Sequence, residues 1–399
     1  MKSTKNNILT INGGSSSIKF AIYETGAALT QILGGSIDNI GSKNASFNFT
    51  NTTTTQPKSN SIKIHNFQEA VNYLIDWLEL QPGFNSVKAI GHRLVHGMEH
   101  TAAEKITSIL LNELKQIKLY DPEHLPGEIG LIEIFAKRHP SLVQIVCFDT
   151  AFHSSMPTIA RLLSIPRKYF DKGIRRYGFH GLSYAYLMLQ LNSIAGAGTV
   201  NGKIILAHLG NGASLAAVKN SKCLETSMGF TPTGGLVMGT RCGDLDPGVA
   251  VYLMQVEKLT TQQLNHLINQ ESGLLGISGT TADMRELIKN RNTDTHAAEA
   301  FELFCYQTKK FIGAYAAVLE GLDTLVFSGG IGEHSPEVRS QVCDGLKFLG
   351  IELDEIKNIN NEAIISSTSS KVTVRVMPTN EQLMIAKMVC DVLNIKNKK

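Results

Sequence analysis

No apolar run in this chain approaches the ~20 residues needed to span a bilayer. The N-terminal segment, MKSTKNN followed by ILTIN, has too short an apolar stretch for a signal peptide and no cleavage pattern. The expectation is therefore a cytoplasmic protein with no membrane partner. Net charge is also small, +3 over 399 residues, which gives a nucleic-acid partner no footing. The basic Lys396–Lys399 end reads as a solvated tail. Cysteine is sparse and scattered: Cys147, Cys223, Cys242, Cys305, Cys343 and Cys390 form no C-x-x-C pair. That spacing fits reduced thiols better than a disulfide framework or a zinc site. Two common phosphate-binding signatures are missing too, the G-x-x-x-x-G-K-[ST] loop and the protein-kinase glycine loop with its H-R-D set.

What is present describes an ordinary globular protein, 43% hydrophobic and 18% charged, too long for one comfortable core. The N-terminal part reads as a β-meander: strands at Ile8–Asn12, Ile18–Glu24, near Leu29–Ile37 and Ala45–Thr52, then a polar loop through Ser61. Phe67–Leu80 and Ile129–Arg138 have helical spacing, and Val87–Ile90 and Val143–Phe148 are short buried strands. IILAHLGNGASLAAV (Ile204–Val218) then lies over ILTINGGSSSIKFAI (Ile8–Ile22) at constant offset, so that Asn12 faces His208 and Gly14 faces Gly210. With the length, this suggests a duplicated unit. After Gly248 the pattern is mainly helical, with a long helix Ala298–Leu319 and Gly321 as its C′ residue. A strand Leu325–Phe327 leads to a turn Gly329–Gly332, and Ser335-Pro336-Glu337 looks like a helix cap. A strand Val372–Val376 and a helix Asn380–Leu393 follow. The fold class is α/β, with two domains around a cleft.

Three glycine-rich turns each follow an apolar strand: Asn12–Ser17, His208–Gly212 and Gly329–Gly332. Each alone could be an ordinary hairpin or strand–helix turn. Three in one chain point to phosphate binding, because glycine lets backbone N–H groups approach phosphate oxygens. On this reading Ser15, Ser17 and Lys19 flank the nucleotide phosphates, Lys19 as a point charge or as a plain solvent-facing strand residue.

The segments NGGSSSIKF, GHRLVHG, FDTAFHSSMP, RYGFHGLSY, HLGNGASL, TPTGGLVMGTRCGDLDPG, SGTTADMREL, GGIGEHSPEVR and PTNEQLMIA resemble the acetate kinase family, in its order and over essentially the whole chain. The resemblance implies two ribonuclease-H-like domains of the actin-like ATPase type around a nucleotide cleft, residues 1–150 with 385–399 and residues 151–384. It implies reversible Mg²⁺-dependent phosphorylation of a small carboxylic acid, acetate first, by ATP in a homodimer. It assigns ATP phosphates to His208, Leu209, Gly210, Asn211 and Gly212. Adenosine falls to Asp283, Met284 and Arg285 and to Gly330, Ile331, Gly332, Glu333 and His334. The Mg²⁺ site falls to Asn12 and Glu381, hard oxygen donors that suit that ion. Glu381 reads equally as a first-turn helix acid behind a Thr379-Asn380 cap.

Phosphoryl transfer asks a protein to align reactants and to stabilise charge on three equatorial oxygens. Arg241 and Arg93 have the planar donors for a carboxylate or a phosphoryl group, although each also fits a structural ion pair. His180 beside aromatics would ordinarily be a core histidine; the resemblance gives it, with Arg241, to transition-state stabilisation, with His124 and His208 weaker candidates. It makes Asp149, at a strand's carboxyl end, the active-site acid. A carboxylic acid is already ionised at pH 7 and needs no general base. Asp149 is therefore expected to position metal-bound water or the arginines. Acceptor contacts fall to Arg93, Val95, His124, Phe179 and Pro232. One place departs from the family: Glu123 stands where an apolar pocket residue is usual, so either the loop turns it outward, the favoured reading, or the acceptor carries a group that pairs with it. Rivals are a kinase for another acid such as propionate, an ATP-driven binding or filament protein, and a phosphohydrolase.

Overall fold

The computed structural model describes residues 6–395 apart from Ser15, Thr52 and Thr53. Near the N-terminus apolar–polar alternation produces β1 (Asn7–Gly13), β2 (Ile18–Glu24), β3 (Thr30–Asp38) and β4 (Ser46–Asn51), each antiparallel to the next. The expected polar loop through Ser61 is instead a fifth strand, β5 (Thr54–Ser61), paired antiparallel with β4. It sits at the sheet edge with Lys58, Ser59, Asn60 and Ser61 exposed. An edge strand has one unpaired side and can remain polar throughout, so it carries no apolar signature. The sheet continues with β6 (Val87–Leu94), the short β7 (Glu104–Lys105) and β8 (Val143–Phe148) in the order β5-β4-β3-β2-β1-β6-β8-β7. β1, β6 and β8 run parallel.

The helix Phe67–Glu79 starts where the Asn66 side chain accepts from the Glu69 N–H. It buries Ala70, Val71, Leu74, Ile75 and Leu78, one stripe at helical spacing. That stripe covers the sheet beside Phe20, Phe47 and Trp77, with the Phe47 and Trp77 rings 4.8 Å apart and edge-on. The C-terminal helix Glu381–Val392 packs Ile385 and Val389 so tightly on Gly91 of β6 that a Cβ there would lie 2.5 Å and 2.7 Å from their methyl groups. Contacts divide the chain into Met1–Ala151 with Asn380–Lys399, and Phe152–Thr379. Residues 380–384, which the sequence reading gave to the second unit, therefore belong with the first: Asn380 caps the helix through the Leu383 N–H, and a helix docks as one piece.

The second unit repeats the plan. β9 (Lys203–Leu209), β10 (Ala213–Lys219), β11 (Lys222–Thr226), β12 (Thr324–Ser328) and β13 (Thr373–Val376) form a sheet in the order β11-β10-β9-β12-β13. Its first three strands are antiparallel and its last two join in parallel. The segment β3-β2-β1-β6-β8 of the first unit has the same order and directions. This is the ribonuclease-H-like pattern, present twice, and β1 and β9 coincide residue for residue at the offset of the internal repeat.

Three local expectations change. Gly329–Gly332 is not a turn but the start of a short helix, Gly329–His334. Ser335 stands at the cap position of the helix Pro336–Cys343, but its side chain makes no capping bond. Glu320 rather than Gly321 occupies C′: it has φ +60°, its N–H bonds Ala317, and the Gly321 N–H bonds Ala316. This is the paired pattern of a Schellman motif, in which glycine has slipped one place on. The helix Gly181–Val200 escaped the sequence reading because it is apolar on most faces and lacks a polar stripe.

Candidate active site

In the first unit the expected residues gather where β1, β6 and β8 end, the carboxyl edge of the parallel strands. Arg93 lies on β6, and its Nη2 and Nε donate to Asp149 Oδ2 at 2.6 and 3.0 Å. Asp149 follows β8 directly and is fully buried. Arg93 Nη1 makes two longer bonds, both 3.3 Å, to the Gly13 carbonyl and to Glu128 Oε1. Burial works against the guanidinium's charge, yet Asp149, Glu128 and Glu381 together raise its pKa further above the ordinary arginine range.

Glu128, which sequence reasoning missed, is only 3% exposed, and its other oxygen accepts the Val95 N–H at 2.8 Å. Burial pushes its pKa up to about 8, against the pull of Arg93. A signal for it existed. In the helix Leu125–Arg138 the buried stripe is Leu125, Glu128, Ile129, Leu131, Ile132 and Phe135, so a carboxylate occupies a core position.

Asn12 and Glu381 also meet: Asn12 Nδ2 donates to Glu381 Oε2 at 2.8 Å. Asn380 caps the helix that Glu381 opens, so the metal-ligand and first-turn readings describe one placement. One carboxylate and an amide whose oxygen takes no part in that bond make a sparse, hard-oxygen set. It suits an ion that keeps several waters and binds phosphates, and fits no ion needing a full protein cage. Among the described residues no group of three or more His, Cys, Asp or Glu side chains could hold a metal.

Val95 is buried. His124 Nδ1 pairs with the buried Asp121 at 3.0 Å, and despite the cost of burial that contact holds the Asp121 carboxyl below its usual range. Glu123 is exposed, as expected. Lys19 is exposed on β2 opposite Asn12, and Ser17 closes the turn by accepting the Gly14 N–H at its carbonyl. Ser15 lies outside the described residues.

In the second unit the site residues collect at the ends of β9 and β12. His180 opens the helix Gly181–Val200 with φ +59°, a left-handed backbone, and the next residue begins the helix. Its Nδ1 lies 2.8 Å from Ser214 Oγ, which Tyr184 Oη also bonds. His208 Nδ1 bonds Ser183 Oγ at 2.8 Å, and Ser183 in turn bonds Thr379. The two imidazoles lie 4.4 Å apart between centroids. Gly212 lies under them: a Cβ there would be 3.2 Å from His180 Nε2 and 3.7 Å from Arg241 Nη1. His208–Gly212, His180 and Arg241 are therefore one cluster. Arg241 Nη1 also donates to the Pro232 carbonyl at 3.2 Å, and Phe179, in the core, accepts from the buried His153.

Replacing Gly212 with Ala should therefore lower kcat by about 10–100-fold while leaving the fold intact, because the methyl crowds the His180 ring, which must give by a few tenths of an ångström. Steady-state kinetics beside a thermal melt will check this; unchanged kcat would mean the cluster does not act on the reaction.

The Gly329–His334 helix packs next to this cluster, with Gly329 against the Leu209 backbone and the Gly330 N–H facing Gly210. Glu333 is committed internally: Oε1 accepts the Gly329 N–H at 2.9 Å and the Thr379 N–H at 3.3 Å. Gly330 and His334 are exposed, Ile331 is half-buried and Gly332 is buried. Asp283 caps the helix Met284–Asn290, ion-pairs with the exposed Arg285 at 2.6 Å, and Met284 points into the core. A cavity of about 790 Å³ is lined by the helix Pro336–Cys343 and by Lys347, Glu352 and Glu355, and by none of the site residues named above.

Comparison with known proteins agrees with this arrangement. A family model described as the acetokinase family matches residues 7–387. An acetate kinase of Rhodopseudomonas palustris is 42% identical over 394 residues, covering 96% of this chain and 97% of that one. The crystal structure of Porphyromonas gingivalis acetate kinase is 35% identical with a TM-score of 0.86, covering 97% of this chain and 100% of that one. A propionate kinase structure from Francisella tularensis has a TM-score of 0.88 at 35% identity, covering 96% of this chain and 98% of its own. With sequence and overall fold in agreement over nearly its whole length, the chain belongs to the acetokinase family.

Proposed function

We propose that this protein catalyses reversible transfer of the γ-phosphoryl group of ATP to acetate, giving acetyl phosphate and ADP. Family membership across the chain carries this reading. An acetate oxygen bonds to the γ-phosphorus in line while the bond to the β–γ bridging oxygen breaks, and ADP leaves with that electron pair. Acetate is already an anion at neutral pH, so no base is needed and no phosphoenzyme forms. Arg241 and His180 stabilise the charge spread over the equatorial oxygens. The His208–Gly212 turn and Gly330–Gly332 hold the nucleotide phosphates and adenosine, with Asp283–Arg285 at the adenosine edge. Lys19, Ser15 and Ser17 flank the phosphates as well.

Arg93 receives the acid anion, and Val95, His124, Phe179 and Pro232 are the further residues assigned to the acceptor. Asp149 positions Arg93, in keeping with its two bonds to the guanidinium. Asn12 and Glu381 are the residues to hold Mg²⁺, which supplies neutralisation of phosphate charge when bound. Propionate is the second acceptor to consider, because a propionate kinase shares the fold closely.

We also assign the working form to a homodimer in the cytoplasm. The helix Pro247–Gln255 buries none of its residues and exposes Val249, Val251, Tyr252 and Met254, an apolar surface that a second copy would cover. Among the described residues no helix is long and apolar enough to cross a membrane.

Trapping acyl phosphate as hydroxamate across a panel of small acids tests the function. Acetate and propionate should give product with matching ADP release. ATP turnover that ignores the acid would reject a kinase.

A further inference from the structure

Arginine has five N–H donors, and four bonds already engage those of Arg93. Asp149 takes the side edge, Nε and Nη2, at close range. The end-on fork, one N–H from each of Nη1 and Nη2, is the edge left for an incoming carboxylate. Its Nη1 half is already engaged by two long bonds, both 3.3 Å, to the Gly13 carbonyl and to Glu128 Oε1, and of these two acceptors Glu128 alone can change its charge. A carboxylate arriving end-on thus meets another carboxylate already in place.

We propose that Glu128 is a positioning residue that takes acid anions in competition: protonated, it releases the Nη1 half of the Arg93 fork to the acceptor, and ionised, it keeps it. The inference deepens the reading of Arg93 as the acceptor's anchor and rests on it. A proton on Oε1 turns that oxygen from acceptor to donor, so it no longer takes the Nη1 hydrogen, while Oε2 retains the Val95 N–H. The charge balance runs the same way. With Glu128 ionised, one guanidinium faces Asp149 and Glu128, with Glu381 acting on it as well. A further anion is then opposed. With Glu128 neutral, one of these opposing charges is gone and an incoming anion is less disfavoured.

Burial is the largest influence on Glu128 and favours its neutral form. Arg93 from β6 and the Val95 N–H pull the other way, towards the carboxylate. Asp121, paired with His124 ahead of the helix, and Asp149 from the end of β8 oppose a second negative charge more weakly. β1 contributes the Gly13 carbonyl, which Arg93 itself bonds. The helices Phe67–Glu79 and Ser108–Gln116 spend charges further along, Asp76 and Glu79 on Arg138 and Lys115 on Glu133. The balance puts the midpoint at about 8.

The test is the acceptor KM at saturating Mg-ATP from pH 6.5 to 9.5, for the wild type, Glu128→Gln and Arg93→Ala. Acetate stays ionised throughout this range, so its own titration does not enter. In the wild type the KM should be flat at low pH and rise toward tenfold per pH unit above about 8, with kcat changing far less. Glu128→Gln keeps the shape of the neutral acid and should hold the KM within about twofold over the same range, near the wild-type low-pH value. A wild-type KM that stays flat, or a rise that persists in Glu128→Gln, would overturn the role of Glu128 and leave Arg93 as anchor. Arg93→Ala with unchanged acceptor KM and kcat would overturn the anchor itself.

Discussion

Arg241→Ala should reduce kcat by at least about 10³-fold, the scale on which a phosphoryl-stabilising arginine acts. Its guanidinium lies beside Gly212 together with His180 Nε2, so two cationic or polar donors converge on the turn that follows β9. Lysine at 241 should recover little, because a point charge on a flexible stem cannot reproduce the planar fork. Stability should fall only modestly. The Arg241 hydrogen bond to the Pro232 carbonyl has a charged donor and is worth about 1.5–3 kcal/mol in a half-buried setting. ADP release with saturating acetate measures the first effect and a thermal melt the second. Near-normal kcat would remove Arg241 from the reaction.

Asp149→Asn should produce the second large effect, on both activity and stability. Asp149 is wholly buried, and its Oδ2 takes two N–H groups of Arg93. An amide in its place removes the negative charge and leaves Arg93 with Glu128 and the more distant pull of Glu381. Breaking a buried pair of this kind costs about 3–5 kcal/mol, so the urea midpoint should drop clearly. Misplacing the guanidinium should cost about 10²-fold in kcat/KM. Because the carboxylate acts through Arg93, extra Mg²⁺ should restore none of the loss. Recovery at high Mg²⁺ would instead make Asp149 a holder of metal-bound water.

Much of this was readable in one dimension. A strand followed by glycine is a local pattern, so the turns after β1 and β9 and the repeat that joins them appear at fixed spacing. Asp149 and Glu381 were marked by the family resemblance; locally the one only ends an apolar run and the other only opens a capped helix. Other features were hidden for identifiable reasons. β5 is polar because it lies on an edge, and the helix Gly181–Val200 is apolar nearly all round, so neither shows the period that betrays its class. The Gly329–His334 segment looks like a turn because three of its residues are glycine, yet it is helical, closed by Glu333 on the Gly329 N–H.

By itself the sequence determined where most strands and the glycine turns after β1 and β9 lie, that the unit occurs twice, and which arginines, histidines and carboxylates are available. Those properties depend on neighbours along the chain. Only the tertiary structure decided what each charged group is paired with. Arg93 meets Asp149 and Glu128 from positions 56 and 35 residues away, and His180 reaches Ser214 across 34. Pairing across such distances follows from the packing of helices on sheets, and burial there sets the strength of each charge. No spacing along the chain encodes that environment.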